Sequence, residues 1–345
     1  MRLVFDIHHP ADINFFKNAI NELLSRNFEV IITALPRGPL VEILKNELPN
    51  LDILVVGKES KKGLLNKVNY TVKRIIELYN VLKKIDFNLS LGFGGEGISH
   101  ASFLLGKPSL VFEDDPEYTL SYLSYKFFAT RILMNNSISI TGRKIQKYNG
   151  FKEIAYLHPD YFIPSTKVLS QYQVEPFKYI FVREVDNVSL NYNHLEDAQL
   201  YRTCQKLKAQ GYKIILSLEN KSLMHKYIDS CLVLKEPVTD FYSLLYYASA
   251  CISSGDTVAR EACLLGTPCL YTGGRVMAAN QPLIELGIFN ECQESLSEKA
   301  VEIANKLYDW KSVMRSFIVN HCDDTTAIIV KNVEGMLNIL GCDKV

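Results

Sequence analysis

The chain has no excess of either charge: its 345 residues carry 38 Lys plus Arg against 38 Asp plus Glu. Without a basic surplus there is no general pull toward a phosphate backbone, which argues against a nucleic-acid partner. Long hydrophobic runs are also missing. No stretch of about eighteen apolar residues occurs, so no membrane span is expected, and only peripheral contact with a membrane stays open. None of the eight cysteines (Cys204, Cys231, Cys251, Cys263, Cys269, Cys292, Cys322 and Cys342) belongs to a C-x-x-C pair. Their spacings fit no zinc motif, and their apolar surroundings predict free buried thiols in a reducing, cytoplasmic compartment. The opening residues Met1-Arg2-Leu3-Val4-Phe5-Asp6 reach a carboxylate after three apolar side chains and read as a strand, not a secretion signal.

What is present is the composition of a folded protein, 48% hydrophobic and 22% charged, with a length that suits two domains of roughly 150 residues. Short apolar runs alternate with helical spacing. Strands are expected at 3–7, 28–32, 53–56, 87–91 and 109–112, with helices at 12–25, 39–47, 64–84 and 96–105 between them. After the aromatic, proline-rich stretch His158-Pro159-Asp160-Tyr161-Phe162-Ile163-Pro164, read as a linker, alternation resumes at Tyr179-Ile180-Phe181-Val182. Strands at 213–218, 250–252 and 269–271 follow, with helices at 241–248, 257–265 and 324–340. The fold class is therefore α/β, two Rossmann-like domains with parallel sheets.

One internal repeat supports the two halves. At an offset of 160 residues, Gly95 matches Gly255 and Glu96 matches Asp256. Leu104-Leu105-Gly106 matches Leu264-Leu265-Gly266, Pro108 matches Pro268, and Leu110 matches Leu270. Each copy reads as a strand, a small-residue turn, a helix closed by glycine, and another strand.

Ligands of open α/β sheets collect at the carboxyl ends of the strands, and four loops fall there. Ser253-Ser254-Gly255-Asp256-Thr257 lets a backbone approach an anion and opens a helix whose free N–H groups suit a diphosphate; one of these residues can equally be a plain N-cap. Tyr271-Thr272-Gly273-Gly274-Arg275 offers Arg275 to phosphate, and Asn280 and Gln281 offer amides to sugar hydroxyls, or the segment is a surface loop. Asp6-Ile7-His8-His9-Pro10-Ala11-Asp12 brings histidine and carboxylate together for proton transfer, with capping as the alternative role of Asp12. Glu113-Asp114-Asp115-Pro116-Glu117 suits a divalent ion, an acceptor's hydroxyls or amines, or a helix dipole, and Gly94 and Gly95 lie in a neighbouring glycine-rich turn. The basic side chains Lys67, Lys73, Arg74, Lys83 and Lys84 on one helix read as a solvated face, with contact to anionic lipid as the alternative.

Three ordered motifs carry a resemblance. Asp6-Ile7-x-His9-Pro10-Ala11, His158-Pro159-Asp160-Tyr161-Phe162 and Glu261-Ala262-x-Leu264-Leu265-Gly266-Thr267-Pro268 resemble an archaeal and bacterial family of GT-B-like proteins with a domain of unknown function. That family is similar to the group containing the peptidoglycan N-acetylglucosaminyltransferase and the UDP-N-acetylglucosamine 2-epimerase. The resemblance implies a GT-B fold with a central cleft, an acceptor-side domain over residues 1–160, a nucleotide-sugar domain over 161–325, and a final helix, 326–345, returning to the first domain. It implies a metal-independent, inverting glycosyltransferase. A nucleoside diphosphate sugar, UDP-linked, would be the donor, with no separate cofactor. A glycan or lipid-linked acceptor would serve cell-surface polysaccharide synthesis at the inner face of the membrane. The alternatives are a nucleotide-sugar epimerase or hydrolase, or a non-catalytic nucleotide-sugar-binding protein. Carried over, Arg183, Ser253, Ser254, Gly255, Asp256, Thr257, Glu261, Arg275, Asn280 and Gln281 would serve the donor. His8, Gly94, Gly95, Glu113 and Asp114 would face the acceptor. The family pattern His-Pro-Ala-His has Asp12 in place of its last histidine here, so Asp12 is the first candidate base and His9 the second.

Overall fold

Apolar runs with no polar alternation, such as Leu3-Val4-Phe5 and Ile214-Ile215-Leu216, are covered on both faces, the setting of a parallel sheet. The computed structural model describes residues 1–58, 64–116, 119–187, 192, 194–235, 238–306 and 308–342, and the runs build two such sheets. The chain divides into two compact units, Met1–Tyr156 with Cys322–Val345, and Leu157–His321.

Unit 1 contains β1 (Arg2–Ile7), β2 (Glu29–Ala34), β3 (Asp52–Val55), β4 (Leu89–Phe93), β5 (Ser109–Glu113), β6 (Arg131–Asn135) and β7 (Ile145–Tyr148). Their spatial order is β3-β2-β1-β4-β5-β6-β7, parallel throughout. Unit 2 contains β8 (Tyr179–Glu184), β9 (Lys213–Leu218), β10 (Leu232–Val233), β11 (Ala250–Ser253), β12 (Cys269–Tyr271) and β13 (Phe289–Glu291). These run β10-β9-β8-β11-β12-β13, again all parallel. Both sheets thus reverse their winding beside their first strand, between β1 and β4 and between β8 and β11, and each reversal leaves a crevice at the carboxyl ends. Strands β7, β10 and β13 escape a reading by pattern because they are short and lie at sheet edges, where partial burial erases the apolar run; β6 keeps the buried run Ile132-Leu133-Met134 and is a strand beyond those expected.

The helix Pro10–Ser25 buries Phe15 and Phe16, which meet Phe112 edge to face at centroid distances of 5.0 and 5.8 Å. Val4, Leu78, Leu82, Phe87 and Ile98 pack on the other face of the sheet. In unit 2, Ile180, Val182, Leu207, Leu216 and Ile252 anchor the core. Six cysteines are free and buried, and Cys322 is free and half-buried. No helix of the described residues is long and apolar enough to cross a membrane.

The stretch read as a linker belongs to unit 2. The His158 carbonyl accepts the N–H groups of Tyr161 and Phe162, and Phe162 packs on Tyr242 and Tyr246. The chain re-enters unit 1 at Cys322. Asp323 Oδ2 accepts the Asn149 N–H at 2.7 Å, Thr325 Oγ1 donates to the Phe151 carbonyl and Thr326 Oγ1 to that of Ala155. The final helix, Thr325–Cys342, then packs on Pro10–Ser25, with Arg26 reaching Glu334 at 2.6 Å.

The repeat is real at its carboxyl half and broken at its start. Gly106 and Gly266 both take left-handed φ, +65° and +72°. Lys107 and Thr267 bond back to the Ser102 and Ala262 carbonyls at 2.9 and 2.8 Å, the same offset once more. Ahead of the turn the register slips by one residue: Leu91 lies beside Leu110, whereas Ile252, not Cys251, lies beside Leu270. The shorter second turn starts its helix, Asp256–Leu264, directly after Gly255; the first-half helix, Ile98–Leu104, begins only after Gly97. Glu96 and Asp256 are therefore not equivalent in position on their helices.

Candidate functional site

The unit 2 site lies where β8 and β11 end side by side, Ser253 beside Arg183. Gly255 caps the helix Asp256–Leu264; a Cβ there would sit 2.7 Å from Val185 Cγ1. Ser253 Oγ accepts the Gly255 N–H and donates to the Gly255 carbonyl, and Ser254 Oγ accepts the Val185 N–H at 2.9 Å. Both serines are wholly buried, so their hydroxyls shape the loop and are not offered to a ligand. The Ala259 N–H closes the first helical turn on the Gly255 carbonyl. The half-buried Thr257 and Val258 N–H groups have no protein acceptor among the described residues, which leaves an anion-ready helix end.

Asp256 turns away from that end into a charged cluster. Its Oδ2 accepts from Arg260 Nη1 at 3.3 Å, its Oδ1 lies 3.6 Å from Arg275 Nη1, and the Tyr192 hydroxyl donates to it. Tyr192 also accepts the Asp256 N–H at 3.1 Å, so a phenol oxygen occupies the first helical donor. Arg260 is 1% exposed and donates to Asn280 Oδ1 at 3.0 Å. Asn280 is wholly buried; that bond engages its Oδ1, while its Nδ2 has no hydrogen-bond partner among the described residues. Gln281 is exposed and bonds Glu285. Glu261 is buried and accepts from the Tyr242 hydroxyl at 3.2 Å. Arg183 donates to Ser217 Oγ and Glu219. Arg275 lies with its guanidinium 5.8 Å from the Tyr192 ring centroid, at the rim of the same loop. Tyr192 and Arg260 were missed by motif reasoning, because neither lies in a motif and only the folded loops bring them to Asp256.

The unit 1 site lies at the ends of β1, β4 and β5. Asp12 Oδ2 accepts the backbone N–H groups of His8 and His9, each at 2.9 Å, and His9 Nδ1 accepts the Ala11 N–H at 3.2 Å. Together they form the reciprocal cap of the helix Pro10–Ser25, so the first and the second candidate base both already hold the backbone. Burial raises the Asp12 carboxyl above the usual carboxylate range, against the charge of His8 and the two backbone donors.

His8 has different company. Its Nε2 lies 2.6 Å from Oδ2 of Asp6, which is wholly buried. Asp6 Oδ1 accepts from Thr33 Oγ1 and from Arg74 Nη2, both at 2.7 Å, and Arg74 Nη1 reaches Asp6 Oδ2 at 3.1 Å. Burial alone would raise the Asp6 carboxyl; the Arg74 and His8 charges and their hydrogen bonds outweigh it and hold the group below the ordinary range. Arg74 was read as part of a solvated face, and the structure corrects this. It is 5% exposed and lies over Gly97, where a Cβ would come within 2.6 Å of Nη1. Lys73, Lys83 and Lys84 are exposed, and the Lys67 side chain lies outside the described residues.

Glu113 closes β5 with both oxygens engaged: Oε1 accepts the Asp115 N–H at 2.9 Å and Oε2 the Tyr125 hydroxyl. Burial, reinforced by Asp114 and Asp115, pushes its carboxyl up to about 7 against those two donors. Asp114 pairs with Lys152 at 2.7 Å, and Glu117 lies outside the described residues. Gly94 takes φ +65°, and a Cβ on Gly95 would meet Ser99 Oγ at 2.4 Å and Val111 Cγ2 at 2.7 Å, so this turn can close only on glycine.

A family model described as protein of unknown function (DUF354) matches residues 1–338. The chain belongs to this family. Among curated proteins, none matches the sequence. Solved structures are similar over nearly the whole length. The UDP-GlcNAc 2-epimerase of Methanocaldococcus jannaschii in complex with UDP-GlcNAc and UDP is 16% identical with a TM-score of 0.71, covering 97% of this chain and 99% of that one. The UDP-GlcNAc 2-epimerase of Neisseria meningitidis bound to UDP-GlcNAc is 12% identical with a TM-score of 0.67, covering 97% and 100%. The glycotransferase of kitacinnamycin is 12% identical with a TM-score of 0.68, covering 97% and 99%. At these identities the likeness is one of fold. The fold is that of the GT-B group, two Rossmann-like parallel sheets.

Proposed function

We propose that the protein is a glycosyltransferase that binds a UDP-linked sugar on unit 2 and transfers the sugar, with inversion, to a hydroxyl of a glycan or lipid-linked acceptor in cell-surface polysaccharide synthesis. The observation that carries this reading is the open start of the helix Asp256–Leu264 at the switch point between β8 and β11. Thr257 and Val258 offer N–H groups there, and Arg183 and Arg275 lie at the ends of the adjoining segments. Negative charge grows on the diphosphate as the glycosidic bond breaks, and fixed N–H dipoles and arginines stabilise that charge without a metal ion. The whole-length likeness to structures that hold UDP-GlcNAc supports the choice of nucleotide.

Calorimetric titration of UDP and UDP-GlcNAc tests the site. Binding is expected with Kd between about 1 μM and 1 mM. Gly255→Trp, placed against Val185, is expected to abolish it. Unchanged affinity in that variant overturns the assignment. A second reading, a nucleotide-sugar epimerase or hydrolase, draws on the epimerases that share the fold. Incubation of UDP-GlcNAc without an acceptor separates the two: rapid formation of an epimer or free sugar would replace the transferase reading.

A further inference from the structure

We propose that His8 is the proton acceptor of the unit 1 site and that Asp6, pinned by Arg74 and Thr33, is the positioning residue that holds its ring. The proposal rests on the reading that unit 1 receives the acceptor hydroxyl. The geometry distributes the three polar side chains of the β1 loop unequally. Asp12 and His9 are spent on the helix cap, while only His8 has a carboxylate behind one nitrogen and no protein partner on the other among the described residues. The Asp6 carboxylate can only accept, so we place the proton on Nε2, facing Oδ2 at 2.6 Å, which leaves the lone pair on Nδ1; Arg74 Nη1, 3.0 Å from the same Nε2, then donates to Asp6 Oδ2 and not to the ring. The ring is partly open, its side chain 24% exposed, whereas Asp6 is sealed.

The support behind the pair is built from four elements. Asp6 is the penultimate residue of β1, Thr33 is its register partner on β2, and Arg74 comes from the helix Leu64–Leu82. Gly97, ahead of the helix Ile98–Leu104, leaves the space that the guanidinium fills. Arg74 and Thr33 take Oδ1, which leaves Oδ2 directed at His8 with a single further contact to Arg74. An ion pair serving only to tie a helix to the sheet would need neither the histidine nor the threonine.

In the transfer step, His8 Nδ1 takes the acceptor hydroxyl proton while the acceptor oxygen bonds to the anomeric carbon. The bond from that carbon to the phosphate oxygen breaks, and its electron pair leaves with the nucleoside diphosphate. The imidazolium that forms is stabilised across the Nε2–H bond to Asp6.

Acylation of the full-length protein by diethyl pyrocarbonate, followed residue by residue by mass spectrometry, reads the nucleophilicity of each histidine without a substrate. His225, exposed and bonded through one nitrogen to the Ser222 carbonyl, is the internal reference. His8 is expected to react at least as fast as His225 despite its lower exposure, and Asp6→Asn to slow it by about tenfold relative to His225. Equal ratios in the two proteins overturn the proposal. Because Asp6→Asn leaves Arg74 buried without its partner and can unfold the site, a second measurement uses the unsubstituted protein. A far-downfield imidazole N–H proton resonance, lost in His8→Gln, is expected; its absence overturns the assigned hydrogen bond. With an acceptor in hand, His8→Gln should lower turnover by about 10²–10⁴-fold with unchanged UDP affinity. Failure of UDP to bind the unsubstituted protein would instead strike the transferase reading, while the acylation and resonance results would still judge the dyad.

Discussion

Glu113 gives the site a pH dependence that can be worked through in sign and size. Its carboxyl is buried at the end of β5, and burial lifts it from 4.5 to about 7. The folded protein therefore holds a proton that the unfolded chain has released over that interval, so stability falls as pH rises. The favourable contribution is complete below about pH 4.5 and is lost as pH climbs through 7. The displacement corresponds to roughly 3 kcal/mol at pH 8. Glu113→Gln removes the ionisation while keeping the shape: the amide oxygen can still accept the Asp115 N–H, and the amide nitrogen can donate to Tyr125, whose hydroxyl reverses its role. The variant should lie within about 1 kcal/mol of the parent at pH 5 and exceed it by up to about 3 kcal/mol at pH 8. The only tryptophan, Trp310, belongs to unit 2, so its emission does not follow unit 1. Hydrogen exchange of peptides spanning β5, at graded urea and at pH 5, 6.5 and 8, reads the right region. A stability difference between variant and parent that does not change with pH would refute the reasoning.

Further outcomes follow from the same geometry. Arg260→Met strips Asp256 and Asn280 of a buried partner and should destabilise unit 2 by about 3 kcal/mol, seen as an earlier urea midpoint in Trp310 emission; a loss under about 1 kcal/mol would mean that Tyr192 and Arg275 suffice. Tyr192→Phe removes the hydroxyl that occupies the Asp256 N–H and should tighten UDP by about fivefold in calorimetry, roughly the worth of one hydrogen bond; weaker binding would instead make the phenol a ligand contact. Gly106→Ala should cost about 1 kcal/mol, the penalty of a left-handed residue in open space. Gly266→Ala should cost clearly more in thermal melts, because its Cβ would lie 2.7 Å from the Trp310 carbonyl oxygen; equal costs would remove close packing as the reason for glycine there.

Much of the frame was legible in residue order. Buried parallel strands are short apolar runs, and β1, β2, β4, β5, β8, β9, β11 and β12 stand where such runs stand. The glycines that close the helices before β5 and β12 showed themselves as a repeat, and both adopt the left-handed conformation that the motif requires. Local chemistry also made the capping role of Asp12 readable, because a cap involves neighbours in sequence. Strands without a distinctive run, β7, β10 and β13, were not readable, whereas β6 carries the buried run Ile132-Leu133-Met134 and was within reach of the same rule.

Residue order thus determined the two α/β halves, their turns and the loops that hold polar side chains at strand ends. Only the tertiary structure decided which of those side chains are free. Ser253 and Ser254 look like ligand contacts as letters, yet the hydroxyl of one is held inside its own loop and that of the other by the Val185 N–H, 69 positions away; Asn280 gives its Oδ1 to Arg260. Arg74 looks like solvated charge, yet it crosses 68 positions of chain to neutralise Asp6 and set His8. Periodicity reports which face of an element is buried. It is silent about which charge meets which, because a buried ion pair depends on partners that chain order separates and packing alone unites.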